Sequence, residues 1–270
     1  MEVRVKLKDQ KAKDFFRNKR LISTAIIGFL ILTAWLSSNL IDFDFLLIFE
    51  KFSKAASRFV SLYLPANFKN LADLLEGVWV TFILAVASGI VGSFFAYLTA
   101  LSMSTKTSKN LLAKNLLRFL STLIRNIPTT IWAIVLLISF WYGEFLAFLV
   151  MTLGTFGFNA RVFADVFDEA SSQSIEALNA VGANRFQVIC QSVFPESWPS
   201  IISWTLYAIE TNIRDSVVVG MLAGGGIGHL IDMHRNFRRF DQLTAAVILV
   251  VLLVLAFDKL SVFIREKLQA

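Results

Sequence analysis

Two stretches of this chain, Leu21 to Ile41 and Gly77 to Thr105, contain no charged side chain. Each is long enough for a helix to cross the hydrocarbon core of a bilayer, which takes about 20 mostly apolar residues. Of the 270 residues, 56% are hydrophobic, only 17% are charged and 26 are Phe, more apolar surface than one soluble core of this size would bury. The chain therefore reads as an all-α integral membrane protein. Asn126 to Ala160 is interrupted only by Glu144, beside Trp141, Tyr142 and Gly143, and reads as two helices joined by a tight hairpin. Ser197 to Ile209 and Ser216 to Ile231 flank the charged Glu210, Arg214 and Asp215, and Gln242 to Phe257 gives a last span. With these runs the expectation is about six transmembrane helices.

Lys and Arg set the expected orientation, because positively charged loops stay cytoplasmic. The first twenty residues carry Arg4, Lys6, Lys8, Lys11, Lys13, Arg17, Lys19 and Arg20, which places the N-terminus inside. A second basic loop holds Lys106, Lys109, Lys114, Arg118 and Arg125, and the C-terminal tail adds Lys259, Arg265 and Lys267, so both termini are expected in the cytoplasm of a multi-pass protein of the cell (inner or plasma) membrane. Arg235, Arg238 and Arg239 fall outside in this arrangement and run against it. The first apolar run is longer than a signal-peptide core and no small-x-small cleavage site follows, so it reads as a signal anchor. The expected layout is a basic cytosolic tail at 1–20, the first transmembrane helix at 21–41, an outer amphipathic segment at 42–70 and a transmembrane domain at 71–268.

In the amphipathic segment Phe45, Ile48, Phe49, Phe52, Ala56, Phe59 and Tyr63 recur at helical spacing, with Glu50, Lys51, Ser53, Lys54, Ser57 and Arg58 on the other face. Such a helix either lies flat in the headgroup region or packs against other spans. The lone Cys190 has no partner for an intrachain disulfide and no metal-ligand spacing, and reads as a packing residue. The sequence contains no G-x-x-x-x-G-K-[ST] phosphate loop, no H-E-x-x-H and no G-x-S-x-G. No catalytic residue, metal site or cofactor site is expected; if the protein drives uphill transport, ATP must be hydrolysed by another chain.

A polar gap of about 171–195 separates apolar runs on the expected cytosolic side. Ile175, Leu178 and Val181 form one short apolar stripe, Gly182 permits a sharp turn, and Phe186, Ile189, Cys190 and Val193 form a second before Pro195 ends the helix. The stripes would hold a compact helix-turn-helix to the membrane domain. Glu176, Asn179, Asn184, Arg185 and Gln187 would then face outward, toward a partner or simply toward water.

Glu176-Ala177-Leu178-Asn179-Ala180-Val181-Gly182 with Pro195 downstream resembles the EAA motif of ABC-importer permeases, with Leu178 in place of the second Ala and Phe194 in place of the Leu before the Pro. Further motifs match in order: Leu64-Pro65-Ala66-Asn67, Arg125-Asn126-Ile127-Pro128, Asn159-Ala160-Arg161, Glu210 with Arg214-Asp215-Ser216, and Gly220 to Gly228 with its Gly224-Gly225-Gly226-Ile227-Gly228 ending. Together, over roughly residues 64 to 268, they are similar to permeases of the phosphonate/phosphite ABC-importer family.

The resemblance implies a MetI-like permease core with a cytosolic EAA-type coupling helix-turn-helix. It implies a homodimer of this subunit in the lipid bilayer, two ABC ATPase subunits that use ATP and Mg, an extracytoplasmic substrate-binding protein and no nucleic acid. Coupling to the ATPase would fall to Glu176, Ala177, Asn179, Gly182, Asn184, Arg185 and Pro195. Glu210, Asn212, Arg214, Asp215 and Ser216 would line a substrate pathway: they lie about 16 Å along a helix from Pro199, near mid-membrane. Alternatively, Glu210 and Arg214 form a self-neutralised i,i+4 pair. Gly224, Gly225, Gly226 and Gly228 must break the helix, as an outer gate or hinge or as a loose loop. The implied cargo is a phosphonate or a reduced-phosphorus oxyanion such as phosphite or hypophosphite. Methionine or another amino acid is the alternative cargo, and a membrane assembly factor or intramembrane enzyme centred on Glu210, Arg214 and Asp215 the alternative of another class.

Overall fold

The structure, a computed structural model, describes residues 2–40, 45–108, 110–170 and 172–269, and side chains within these outside 2–18, 20, 45–49, 172 and 269. The chain divides into two units, 1–61 and 62–270. In the first, α1 (Glu2–Leu40) is one continuous helix, so the expected basic tail runs without a break into the first span; α2 (Phe45–Tyr63) begins there and ends just past it. From Leu21 to Leu40 apolar side chains are exposed on every side of α1, as suits a helix solvated by lipid. Phe52 and Phe59 of α2 are exposed. Phe45, Ile48 and Phe49 lie outside the described side chains, and Ile41, Lys109 and residue 171 outside the described residues.

The second unit is built on α3 (Leu71–Met103), α6 (Glu144–Glu169) and α9 (Phe194–Ala223). α3 turns a stripe of small residues inward, Ala85, Ser88, Gly89, Gly92, Ser93, Ala96 and Ala100, and so lets its neighbours approach closely. A Cβ on Gly92 would sit 2.7 Å from Thr155 Cβ and 2.8 Å from the Thr152 carbonyl oxygen of α6. Two buried amides cross this contact: Asn159 Nδ2 donates to Ser93 Oγ at 2.7 Å, and Asn212 Nδ2 to Ser88 Oγ at 3.0 Å and Thr155 Oγ1 at 2.9 Å. Such buried bonds help fix the register of the three helices.

Around this core run α4 (Leu111–Asn126), α5 (Thr129–Leu137), the short α7 (Ser172–Ala180) and α8 (Arg185–Val188), then α10 (Gly226–Asn236) and α11 (Phe240–Gln269). Between Asn126 and Ala160 the expected hairpin of two full spans is not formed as read. Its first arm is the nine-residue α5, set at 89° to α4, while α6 extends to Glu169. Pro128 is the cause: it has no N–H to donate and holds Ile127 extended (φ −87°, ψ 118°). Among the described residues, four helices are long and apolar enough to span, and the total reaches six if each bent pair, α4 with α5 and α8–α9 with α10, counts as one.

Candidate functional site

The segment 172–195 folds as a helix-turn-helix. α7 ends where Gly182 takes φ +78° and its N–H bonds the Asn179 carbonyl at 3.0 Å, while the Ala183 N–H bonds Leu178. Left-handed backbone strains any residue with a Cβ, and glycine reaches it without cost. Asn184 then starts α8 with a capping box: Gln187 N–H donates to Asn184 Oδ1 at 2.9 Å, and Asn184 N–H to Gln187 Oε1 at 2.7 Å. The turn is thus specified by its own residues.

Its base is held by packing. Ile175 and buried Val193 join a cluster with Ala96, Ala100 and Met103 of α3, Phe163 and Phe167 of α6, and Ile201 of α9; Val188 is buried as well. Three of the expected stripe residues do not belong to it. Val181 is 80% exposed, Phe186 74% exposed, and Cys190 is exposed, because the hairpin stands off the bundle and only one side of it reaches the core. Glu176, Ala177, Asn179, Gly182, Asn184 and Arg185 are exposed beside them.

Pro195 does not end a helix. A π-helical turn, Ile189–Val193, carries the chain from α8 directly into α9, with Pro195 in its first turn and Pro199 inside it. The wider turn accommodates prolines that lack an N–H, and Ser197 Oγ donates to the Val193 carbonyl at 2.6 Å. The hairpin is therefore joined stiffly to α9.

Sequence reading missed the anchor beside it. Asp168, at the end of α6, accepts from Ser104 Oγ (2.7 Å), Thr105 N–H (2.6 Å) and Thr105 Oγ1 (2.7 Å), and pairs with Arg118 of α4 at 3.0 Å. Arg118 also donates to the Met103 carbonyl, and Lys106 to the Ala170 carbonyl. The ends of α3 and α6 and the middle of α4 are tied in one knot immediately before α7. A basic loop devoid of acids was the available signal that a carboxylate must come from elsewhere.

On α9 the central polar residues separate into two groups. Glu210 is held by Arg214 at 2.9 Å and by Arg265 of α11 at 3.5 Å, and Ser216 bonds back to Ile213 at 2.6 Å. Asn212 and Asp215 face the other way, into a cavity of about 270 Å³ that Arg125, Thr129, Tyr207 and Thr211 also line. Glu210, Arg214 and Ser216 are not among the residues lining it.

The glycines do break the helix. Gly224 (φ 83°), Gly225 (φ 138°) and Gly226 (φ 54°) turn the chain by 53° between α9 and α10. The bend is packed rather than loose: a Cβ on Gly228 would meet the Val217 carbonyl at 2.4 Å, and the Ile227 N–H donates to Thr81 Oγ1 of α3 at 2.9 Å.

Comparison with known proteins agrees with this architecture. The chain is 25% identical over 253 residues to the putative phosphite transport system permease protein HtxC of Stutzerimonas stutzeri, covering 92% of this chain and 87% of that one. It is 30% identical over 145 residues to the phosphate-import permease protein PhnE of Mycolicibacterium smegmatis, covering 54% of this chain but only 27% of that longer protein. The fold is similar to a chain of the MetNI methionine ABC transporter in its inward-facing form, with a TM-score of 0.66, 20% identity and coverage of 75% of this chain and 99% of that one. Residues 90–269 match the model of the binding-protein-dependent transport system inner membrane component, so the chain belongs to that family.

Proposed function

We propose that this chain is the permease subunit of an ATP-driven ABC importer for phosphonates or related phosphorus oxyanions such as phosphite and hypophosphite. It works as a homodimer with two ABC ATPase subunits, which bind the ATP and Mg, and an extracytoplasmic substrate-binding protein. Both termini and the α7–α8 hairpin lie on the cytoplasmic side. The observation that carries this reading is the hairpin itself: buried at its base through Val188 and Val193, it holds Val181 and Phe186 in the open next to Glu176 and Arg185. Large apolar side chains rimmed by polar ones mark docking surfaces. The phosphite- and phosphate-permease names of the relatives support the cargo class over an amino acid.

The mechanism is mechanical. ATP-driven closure of the ATPase pair displaces the docked hairpins; the π turn passes that motion into α9, and the Asp168 knot carries it to α3, α4 and α6 together. The helices of the bundle then rock between outward and inward openings of the path between the two permeases, and Gly224, Gly225, Gly226 and Gly228 serve as the hinge on the outer side. The substrate protein sets which ligand arrives; the permease supplies the route.

The test is ATP-dependent uptake of phosphite, methylphosphonate and methionine by vesicles containing the tagged chain with its ATPase and binding protein. Uptake of a phosphorus compound that needs all three components is expected. Uptake of methionine alone, or an activity retained by the purified chain without the ATPase, would overturn the reading.

A further inference from the structure

The loop between α5 and α6 is fastened to both sides of the Gly224–Gly226 bend. On the α9 side, the Gly143 N–H donates to the carbonyl of Ala223, the last residue of α9, at 2.7 Å. On the α10 side, Tyr142 Oη and His229 Nδ1 are hydrogen-bonded at 2.9 Å, with the two rings edge to face at 5.8 Å. Between these two ties the Tyr142 ring lies on Gly224, where a Cβ would stand 2.6 Å from Cδ1 and 2.8 Å from Cζ of the ring. Glycine at 224 therefore serves close approach as well as a positive φ.

α10 itself is fixed to α3. The Ile227 N–H donates to Thr81 Oγ1 at 2.9 Å, and Leu230 fills the space left at Gly77, where a Cβ would stand 2.7 Å from Leu230 Cδ1. A cavity of about 400 Å³, lined by Asp73, Glu76 and Val80 of α3 and by Glu144 of α6, lies beside Tyr142 and His229, so the α3–α10 pair has room to shift against the start of α6. We propose that Tyr142 and His229 are positioning residues for transport: their hydrogen bond braces the bend at its resting angle of 53° and breaks when the bend opens. This rests on the proposed function, in which the bend is the outer hinge. A contact made in only one of two states lowers the population of the other, so the brace holds back ATP-driven closure until the binding protein arrives. The bond suits a part that must release. Tyr142 is 49% exposed, and water replaces the lost partner without a buried polar group being stranded.

The readout is ATP hydrolysis by the assembled permease–ATPase complex in nanodiscs, measured without binding protein and then with binding protein and methylphosphonate. Tyr142→Phe removes the hydroxyl and leaves the ring on Gly224, and His229→Leu removes the partner. A half-exposed hydrogen bond shifts a two-state equilibrium by about 2- to 5-fold, so each variant is expected to raise hydrolysis without binding protein by about that factor and to lower the stimulation that binding protein brings. The double variant is expected to match the singles, because both remove the same bond. A folding defect lowers hydrolysis instead of raising it. Hydrolysis without binding protein at or below wild type in Tyr142→Phe, or a double variant equal to the product of the two singles, overturns the brace. As an independent measurement, amide hydrogen exchange over residues 227–233 of the permease alone is expected to quicken by about 2- to 5-fold in Tyr142→Phe; unchanged exchange overturns the proposal. If wild type takes up no phosphorus compound and its hydrolysis ignores the binding protein, the proposed function falls and the exchange rates still decide the brace. If wild type is stimulated and Tyr142→Phe behaves identically, only the brace falls.

Discussion

Phe186→Ala separates docking from folding. Phe186 is 74% exposed, so the bundle holds little of it, and truncation should change the thermal stability of the permease by no more than about 0.5 kcal/mol. Full burial of a Phe side chain contributes about 1.5–3 kcal/mol; the three quarters still available for a partner to cover corresponds to about 1–2 kcal/mol. Since about 1.4 kcal/mol is tenfold in an equilibrium constant, the ATPase should bind the variant about 5- to 30-fold more weakly. Titration of labelled ATPase onto the permease in nanodiscs reads this directly, with a melting curve of the same sample as the control. Val188→Ala inverts the pattern, because Val188 is buried: it should lower stability by about 1 kcal/mol and leave Phe186 in place. ATPase affinity for Phe186→Ala equal to wild type, at unchanged stability, would refute the docking argument.

Asp168→Ala strips the carboxylate from Ser104, Thr105 and Arg118 at a partly buried site, and should cost about 2–3 kcal/mol, read as a lower melting temperature of the purified permease. Gly92→Val drives methyl groups against Thr155 and the Thr152 carbonyl, so about 1–3 kcal/mol of overpacking is expected; the same substitution at exposed Gly28, with nothing within 4 Å, should be silent in that assay.

Much of this fold is legible in the chain because membrane helices are written as long apolar runs: the apolar stretches of α1, α3, α6 and α11 follow from absent charge, while the extension of α1 through the basic tail and of α6 to Glu169 does not. The Gly182 turn and the Gly224–Gly226 break were equally readable, since positive φ selects glycine. Pro195 and Pro128 were harder. Proline says that a regular helix is disturbed but not how, and here one is absorbed by a π turn while the other produces an 89° bend. Val181, Phe186 and Cys190 misled for a related reason: periodicity gives a helix face, but which neighbour covers that face depends on residues far along the chain. The division of α9, with Glu210 tied to Arg265 and Asp215 turned to Arg125's cavity, likewise requires knowing where α11 and the α4–α5 bend come to rest.

The central claim is that the hairpin transmits ATP-driven motion, and Gly182→Val tests it most directly. The turn has open space around it, so the substitution meets no neighbour; it strains the φ +78° backbone by about 1–2 kcal/mol and reshapes only the docking hairpin. Phosphonate uptake and ATP hydrolysis measured together in vesicles holding the assembled importer should show uptake per ATP falling by about tenfold or more. Uptake per ATP identical to wild type, with the substituted subunit shown to be in the complex, would contradict the account.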